Sequence, residues 1–93
     1  MIIGVVRLEL YLYNVQSLKE KRAILKSIRS KLLQRYNVAV SETGYNENWQ
    51  RSELSLVTVS NEQVTCEREL QRVLAFIDSH PEIERTITEY EWL

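Results

Sequence analysis

Residues 2–13 read as a strand whose side-chain polarity alternates with a period of two from Arg7 onward. Leu8, Leu10 and Leu12 fall on one face, and Arg7, Glu9, Tyr11 and Tyr13 fall on the other. This is the pattern of a half-buried strand, with one face on a core and the other in solvent. The period then changes. Ser17 and Glu20 form a capping box in which the serine hydroxyl accepts from the Glu20 amide and the carboxylate reaches back to the Ser17 amide. Leu18, Lys21, Leu25, Ile28, Leu32 and Tyr36 follow at helical steps, with Lys21 expected to lay its stem on the stripe and its ammonium in water.

Asn37 is expected to end this helix, and Val38 and Val40 to open a second strand that carries Glu42 on the same face. Trp49 to Ser60 read as a third strand with Leu54 and Leu56 inward. Matching Val38 and Val40 with Leu56 and Leu54 centres the hairpin on Glu47 and implies a loop of odd length. Ser60 or Asn61 is expected to cap a second helix with the stripe Cys66, Leu70, Val73, Leu74 and Ile77, ending before Pro81. Residues 83–92 make a last strand in which Ile87 and the Tyr90/Trp92 pair have opposite parity, a conflict that a bulge would resolve. The order βαββαβ in one domain over residues 1–93 is the α+β ferredoxin-like sandwich. Its four-stranded antiparallel sheet has expected order 4-1-3-2 and two helices on one face.

The longest apolar stretch, Met1 to Val6, is far too short to span a bilayer, so no membrane partner and no signal peptide are expected. One cysteine fits a reducing compartment, and the expected location is cytoplasmic. Catalysis has little to work with. His80 reads as a loop histidine before a proline, and Cys66 as a small buried hydrophobe. The carboxylate pairs Glu82/Glu84 and Glu89/Glu91 suit solvated positions. No cluster suits zinc and no glycine-rich loop suits phosphate, so a non-enzymatic protein without cofactor is the expectation.

Charge is informative once it is divided along the chain. Residues 17–36 hold seven basic side chains against one acid, a balance of +6, and the rest of the chain stands at −7. Lys19, Arg22, Lys26 and Arg29 fall within an arc of about 80° on the first helix. Such a stripe suits the phosphates of RNA or of a ribosomal particle, with Arg51 as an auxiliary cation. It equally suits a solvated helix face. On the open sheet face, Tyr11, Tyr13, Val57 and Val59 suit pairing with a second copy into a homodimer or larger homo-oligomer. Base stacking in the manner of RNA-recognition motifs needs aromatics on the third strand, and residues 51–57 have none.

The blocks Ser17-Leu18-Lys19-Glu20-Lys21-Arg22, Asn37-Val38, Glu42, Trp49-Gln50-Arg51 and Val59-Ser60-Asn61 resemble the YlxP-like family of small bacterial proteins across essentially the whole chain. The resemblance implies a ferredoxin-like fold and a domain of unknown function. The family's genes often lie near those for translation initiation factor two and the ribosome-binding factor A, which implies a role close to ribosome maturation or RNA. It singles out Lys19, Lys21, Arg22, Glu42, Trp49, Gln50 and Arg51, and assigns no catalytic residue. Glu47 and Asn48 stand where the family tends to carry an aspartate and an apolar residue. Five of the motif residues also have a structural reading: capping for Ser17 and Glu20, a Glu42–Arg51 ion pair at the hairpin end, and a Trp49 ring that seals the core.

Overall fold

A computed structural model describes residues 1–93. In it the alternating segment forms the central strand β1 (Ile2–Leu12), whose Val6, Leu8, Leu10 and Leu12 are buried. Helix α1 spans Leu18–Arg35, β2 Ala39–Gly44, β3 Arg51–Ser60, α2 Gln63–Asp78 and β4 Ile83–Trp92. The strands are antiparallel in the order β2-β3-β1-β4, which is the expected 4-1-3-2 order read from the other edge. This is the ferredoxin-like βαββαβ sandwich. Ile28 and Leu32 of α1 and Leu70, Val73, Leu74 and Ile77 of α2 close over the leucine face of β1 and β3. Neither helix is long and apolar enough to cross a membrane.

The Ser17 cap forms as read, with the Glu20 amide donating to Ser17 Oγ at 3.1 Å. The Glu20 carboxylate accepts from the Gln16 amide at 3.0 Å, one residue before the expected partner. Helix α1 ends at Arg35, with Tyr36 as an extended C-cap, so β2 starts at Ala39 and not at Val38. At α2 the cap position is Glu62, without a side-chain cap bond. Ser60 Oγ accepts only from the Glu62 amide at 3.4 Å, so neither Ser60 nor Asn61 is the cap.

Two strand features depart from regular pleating. The register of β1 with β4 shifts between Leu8 and Leu10, which face Thr88 and Arg85 and leave one extra residue on β4. That is the bulge demanded by the parity conflict, and it turns Tyr90 and Trp92 to the helix side, opposite Val6 and Gly4. Trp92 lies so close over Gly4 that an added Cβ would stand 2.7 Å from its ring.

The β2–β3 hairpin corrects the expected register. Val40 faces Leu56 and Glu42 faces Leu54, so the hairpin centres on Asn48, two residues of β3 away from the expected pairing. A second irregularity between Glu42 and Gly44 puts an extra residue on β2, and the connecting loop, 45–50, has six residues, so the expected odd-length loop does not form. Parity survives this shift because a two-residue slip keeps every side chain on its face.

Candidate nucleic-acid interface

Lys19, Arg22, Lys26 and Arg29 are all exposed on α1. The ion pairs of the molecule are Arg7–Glu89 at 3.0 Å, Lys21–Glu42 at 2.8 Å, Arg51–Glu9 at 3.5 Å, Arg72–Glu69 at 3.7 Å and Arg85–Asp78 at 2.8 Å. Outside α1, four of the five arginines are therefore neutralised by a carboxylate. On α1, Lys21 alone is. Arg29 Nε donates to the Val40 carbonyl at 3.2 Å, which places the four-cation stripe along the β2 edge of the sandwich. Arg35 lies on the other flank, 5.1 Å above the Phe76 ring of α2.

Lys21 corrects the expectation of an ammonium in water. Its side chain is completely buried. Nζ donates to the carbonyls of Tyr45 and Asn48, each at 2.6 Å, and pairs with Glu42 Oε2. The same Oε2 accepts from the hydroxyl of buried Ser52 at 2.7 Å. All three ammonium protons thus have acceptors, which is what makes a buried lysine tolerable. Glu42 is committed to Lys21 and Ser52, so the expected Glu42–Arg51 pair does not form.

Arg51 lies on the bare face of the sheet, opposite the helices. It reaches Glu9 at 3.5 Å, donates to the Tyr45 hydroxyl at 3.0 Å and stacks 4.1 Å above the Tyr45 ring. It does not extend the α1 stripe. Strand parity carries that information, since Arg51 shares its face with Glu53 and Ser55.

The clamped loop is tightly specified. Tyr45 has φ 57°, a left-handed conformation unfavourable for a tyrosine. It is held there by Lys21 on its carbonyl, by Arg51 on its ring and by the Asn48 amide, which donates to its carbonyl at 3.0 Å. Asn48 Oδ1 accepts from the amides of Gln50 and Arg51, and the Leu12 amide donates to the Gln50 carbonyl. Trp49 does not seal the core: 49% of it is exposed. Sequence reading missed Tyr45, Asn48 and Ser52. The usable signal was a lysine on an apolar stripe facing a glutamate on an inward strand position.

The other residues singled out in the sequence serve the fold. Asn37 donates through Nδ2 to the Val59 carbonyl and through its amide to Glu69, joining the end of α1 to β3 and α2. An open polar groove of about 270 Å³ beside it is lined by Ser60, Thr65, Arg68 and Arg72 among others. His80 Nδ1 lies 2.9 Å from the Phe76 carbonyl, at the end of α2, and Cys66 is buried.

On the bare face, Tyr11 and Tyr13 meet edge to face with centroids 5.0 Å apart. Val57 and Val59 lie opposite Val5 and Ile3, at the other end of β1. Six strand residues, roughly 20 Å, separate Val57 from the row of Tyr11, and the Arg7–Glu89 and Arg51–Glu9 pairs stand between them. The two apolar groups do not form one patch.

The fold is a ferredoxin-like sandwich in which α1 carries seven cations, of which only Lys21 has a carboxylate partner. Residues 3–90 match the family described as "Protein of unknown function (DUF503)", and the chain belongs to that family. It is 53% identical over 90 residues to the uncharacterized protein YlxP of Bacillus subtilis (strain 168), covering 97% of this chain and 98% of that one. The YlxP-like resemblance read from the sequence is thereby borne out. Among solved structures, the de novo designed protein Foldit4 is similar with a TM-score of 0.50 at 18% identity, over 99% of this chain and 94% of that one, a likeness of fold alone.

Proposed function

We propose that this is a non-enzymatic, cytoplasmic binding protein that holds RNA, free or within a ribosomal particle, by its phosphate backbone. The contacts come from Lys19, Arg22, Lys26 and Arg29. One observation carries the reading: these four exposed cations have no carboxylate partner, while the arginines elsewhere are mostly neutralised. A helix that needed charge only for solvation would gain from interspersed acids at three- and four-residue spacing, and α1 carries one acid, which is used in its cap. Phosphates would replace those missing acids and release their counterions. Affinity carried by phosphate contacts would be salt-steep and weakly dependent on sequence.

The test is an electrophoretic titration of RNA at several salt concentrations. The wild type retards RNA at low salt, and a variant with the four cations changed to glutamine does not. Equal retention by both would refute the reading.

A second reading has its own observation. Val57 and Val59 are exposed beside Ile3 and Val5 on the bare face, an apolar surface suited to a second copy of the chain. Sedimentation of the wild type and of V57E separates the two, because a monomeric wild type excludes this reading and leaves the first untouched.

A further inference from the structure

The loop 45–50 is held by an unusual amount of machinery for a surface turn. A fully buried lysine, a buried serine, a left-handed tyrosine and an arginine–tyrosine stack all serve its backbone. The product of this rigidity is a half-exposed indole, Trp49. Beside it is an open cleft of about 300 Å³ lined by Glu47, Asn48, Trp49 and Gln50. The side chains of Glu47 and Gln50 make no hydrogen bond within the protein, so their polar ends are available to a ligand. An aromatic plane flanked by unused acceptor and amide groups is the arrangement that takes a planar heterocycle with polar edges.

The loop is also placed against the cationic stripe. Lys21 Nζ touches the Asn48 carbonyl, so the Trp49 backbone lies within ~12 Å of the Lys21 Cα. Arg22 follows Lys21 directly and is rotated from it by about 100° toward the stripe. A strand of nucleic acid that follows the stripe toward the start of α1 reaches the loop that carries Trp49.

We propose that Trp49 is a stacking platform for an unpaired nucleobase, with Arg22 on the adjoining phosphate, so that the RNA held by this protein is single-stranded there. This rests on the phosphate-binding role of α1. A base within a duplex has both faces covered by its neighbours and has none to offer the indole, so duplex RNA engages the stripe without Trp49. Lys21 is a positioning residue, acting through the loop.

The experiment uses oligouridine of about twelve nucleotides and an RNA duplex of the same length. In a W92F background Trp49 is the single tryptophan, so its emission reports the site alone. Oligouridine is expected to quench it and the duplex to leave it largely unchanged. W49A, with Trp92 intact, is expected to weaken oligouridine binding about 5- to 160-fold and to leave duplex binding within about twofold. A urea midpoint for W49A close to wild type shows that the loss is not one of folding. Unchanged affinity of W49A for oligouridine, or unquenched emission at saturation, overturns the stacking role while salt-steep binding by α1 stands. If neither RNA binds the wild type at low salt, the α1 reading fails and this inference falls with it.

Discussion

Replacing Lys21 by methionine tests the clamp most directly. Methionine keeps much of the apolar stem and removes the ammonium, so packing changes little while three acceptors each lose one donor: Tyr45 O, which keeps the Asn48 amide, Asn48 O, and Glu42 Oε2. Breaking a buried pair by deleting one partner costs about 3–5 kcal/mol, because the other charge stays behind. Glu42 keeps Ser52 and its side chain is 21% exposed, so partial hydration brings the expected cost to about 3 kcal/mol. For a chain of this size each kcal/mol moves the midpoint by about 4–8 °C, so K21M should melt roughly 12–24 °C below wild type. Urea denaturation at neutral pH gives the free energy, and adding E42Q to K21M should recover about 1 kcal/mol by removing the orphaned charge. A K21M loss under about 1 kcal/mol would show that the ammonium is dispensable and the reasoning wrong.

Three further outcomes follow from the geometry. G4A should lose about 1–3 kcal/mol by urea denaturation, since its Cβ meets the Trp92 ring, and adding W92L should restore most of it; an unchanged G4A would mean that the ring moves freely. Arg85 grips Asp78 through two bonds of 2.9 and 2.8 Å and holds its carboxyl below the ordinary carboxylate range. With the folded value depressed, the contribution is present above the unfolded value and lost as pH falls through the folded one. The stability gap between wild type and D78N should therefore be steady near neutrality and narrow below about pH 4; Asp78 is well exposed, so the gap itself is at most about 1 kcal/mol, and a gap that persists in acid would contradict the pairing. Neutralising Arg51, which lies on the opposite face from α1, should leave the salt dependence of RNA binding unchanged in the titration, whereas neutralising Arg22 should reduce its slope by about 0.7–0.9.

Much of this was legible in the chain itself. The leucines of β1, the Ser17 cap and the α2 stripe each encode their element locally, and the conflicting parity of Ile87 against Tyr90 and Trp92 announced the β4 bulge. Parity also placed Glu42 inward and Arg51 outward. The hairpin register was not legible, because alternation specifies a face but not which of two registers two residues apart is adopted. That choice rests on the loop, where Tyr45 occupies a conformation usually reserved for glycine or asparagine and is kept there by a lysine 24 residues earlier. Lys21 was misplaced for the same reason. A stripe lysine ordinarily snorkels to water. Only the arrival of two loop carbonyls and Glu42 at its tip makes burial the better solution, and that is a tertiary coincidence. The α1 stripe was visible as charge, but its lack of carboxylate partners needed the packed structure.

The central claim is that Lys19, Arg22, Lys26 and Arg29 hold phosphates. Filter-binding of oligouridine between about 50 and about 200 mM monovalent salt tests it most directly, since four contacts on a single strand imply a slope near −3 in log K against log salt and a loss of roughly fifty-fold across that range. The wild type should show that slope, and the four-glutamine variant should bind too weakly to measure or with a slope near zero. A wild-type affinity indifferent to salt, or a variant that keeps the wild-type slope, would contradict the account.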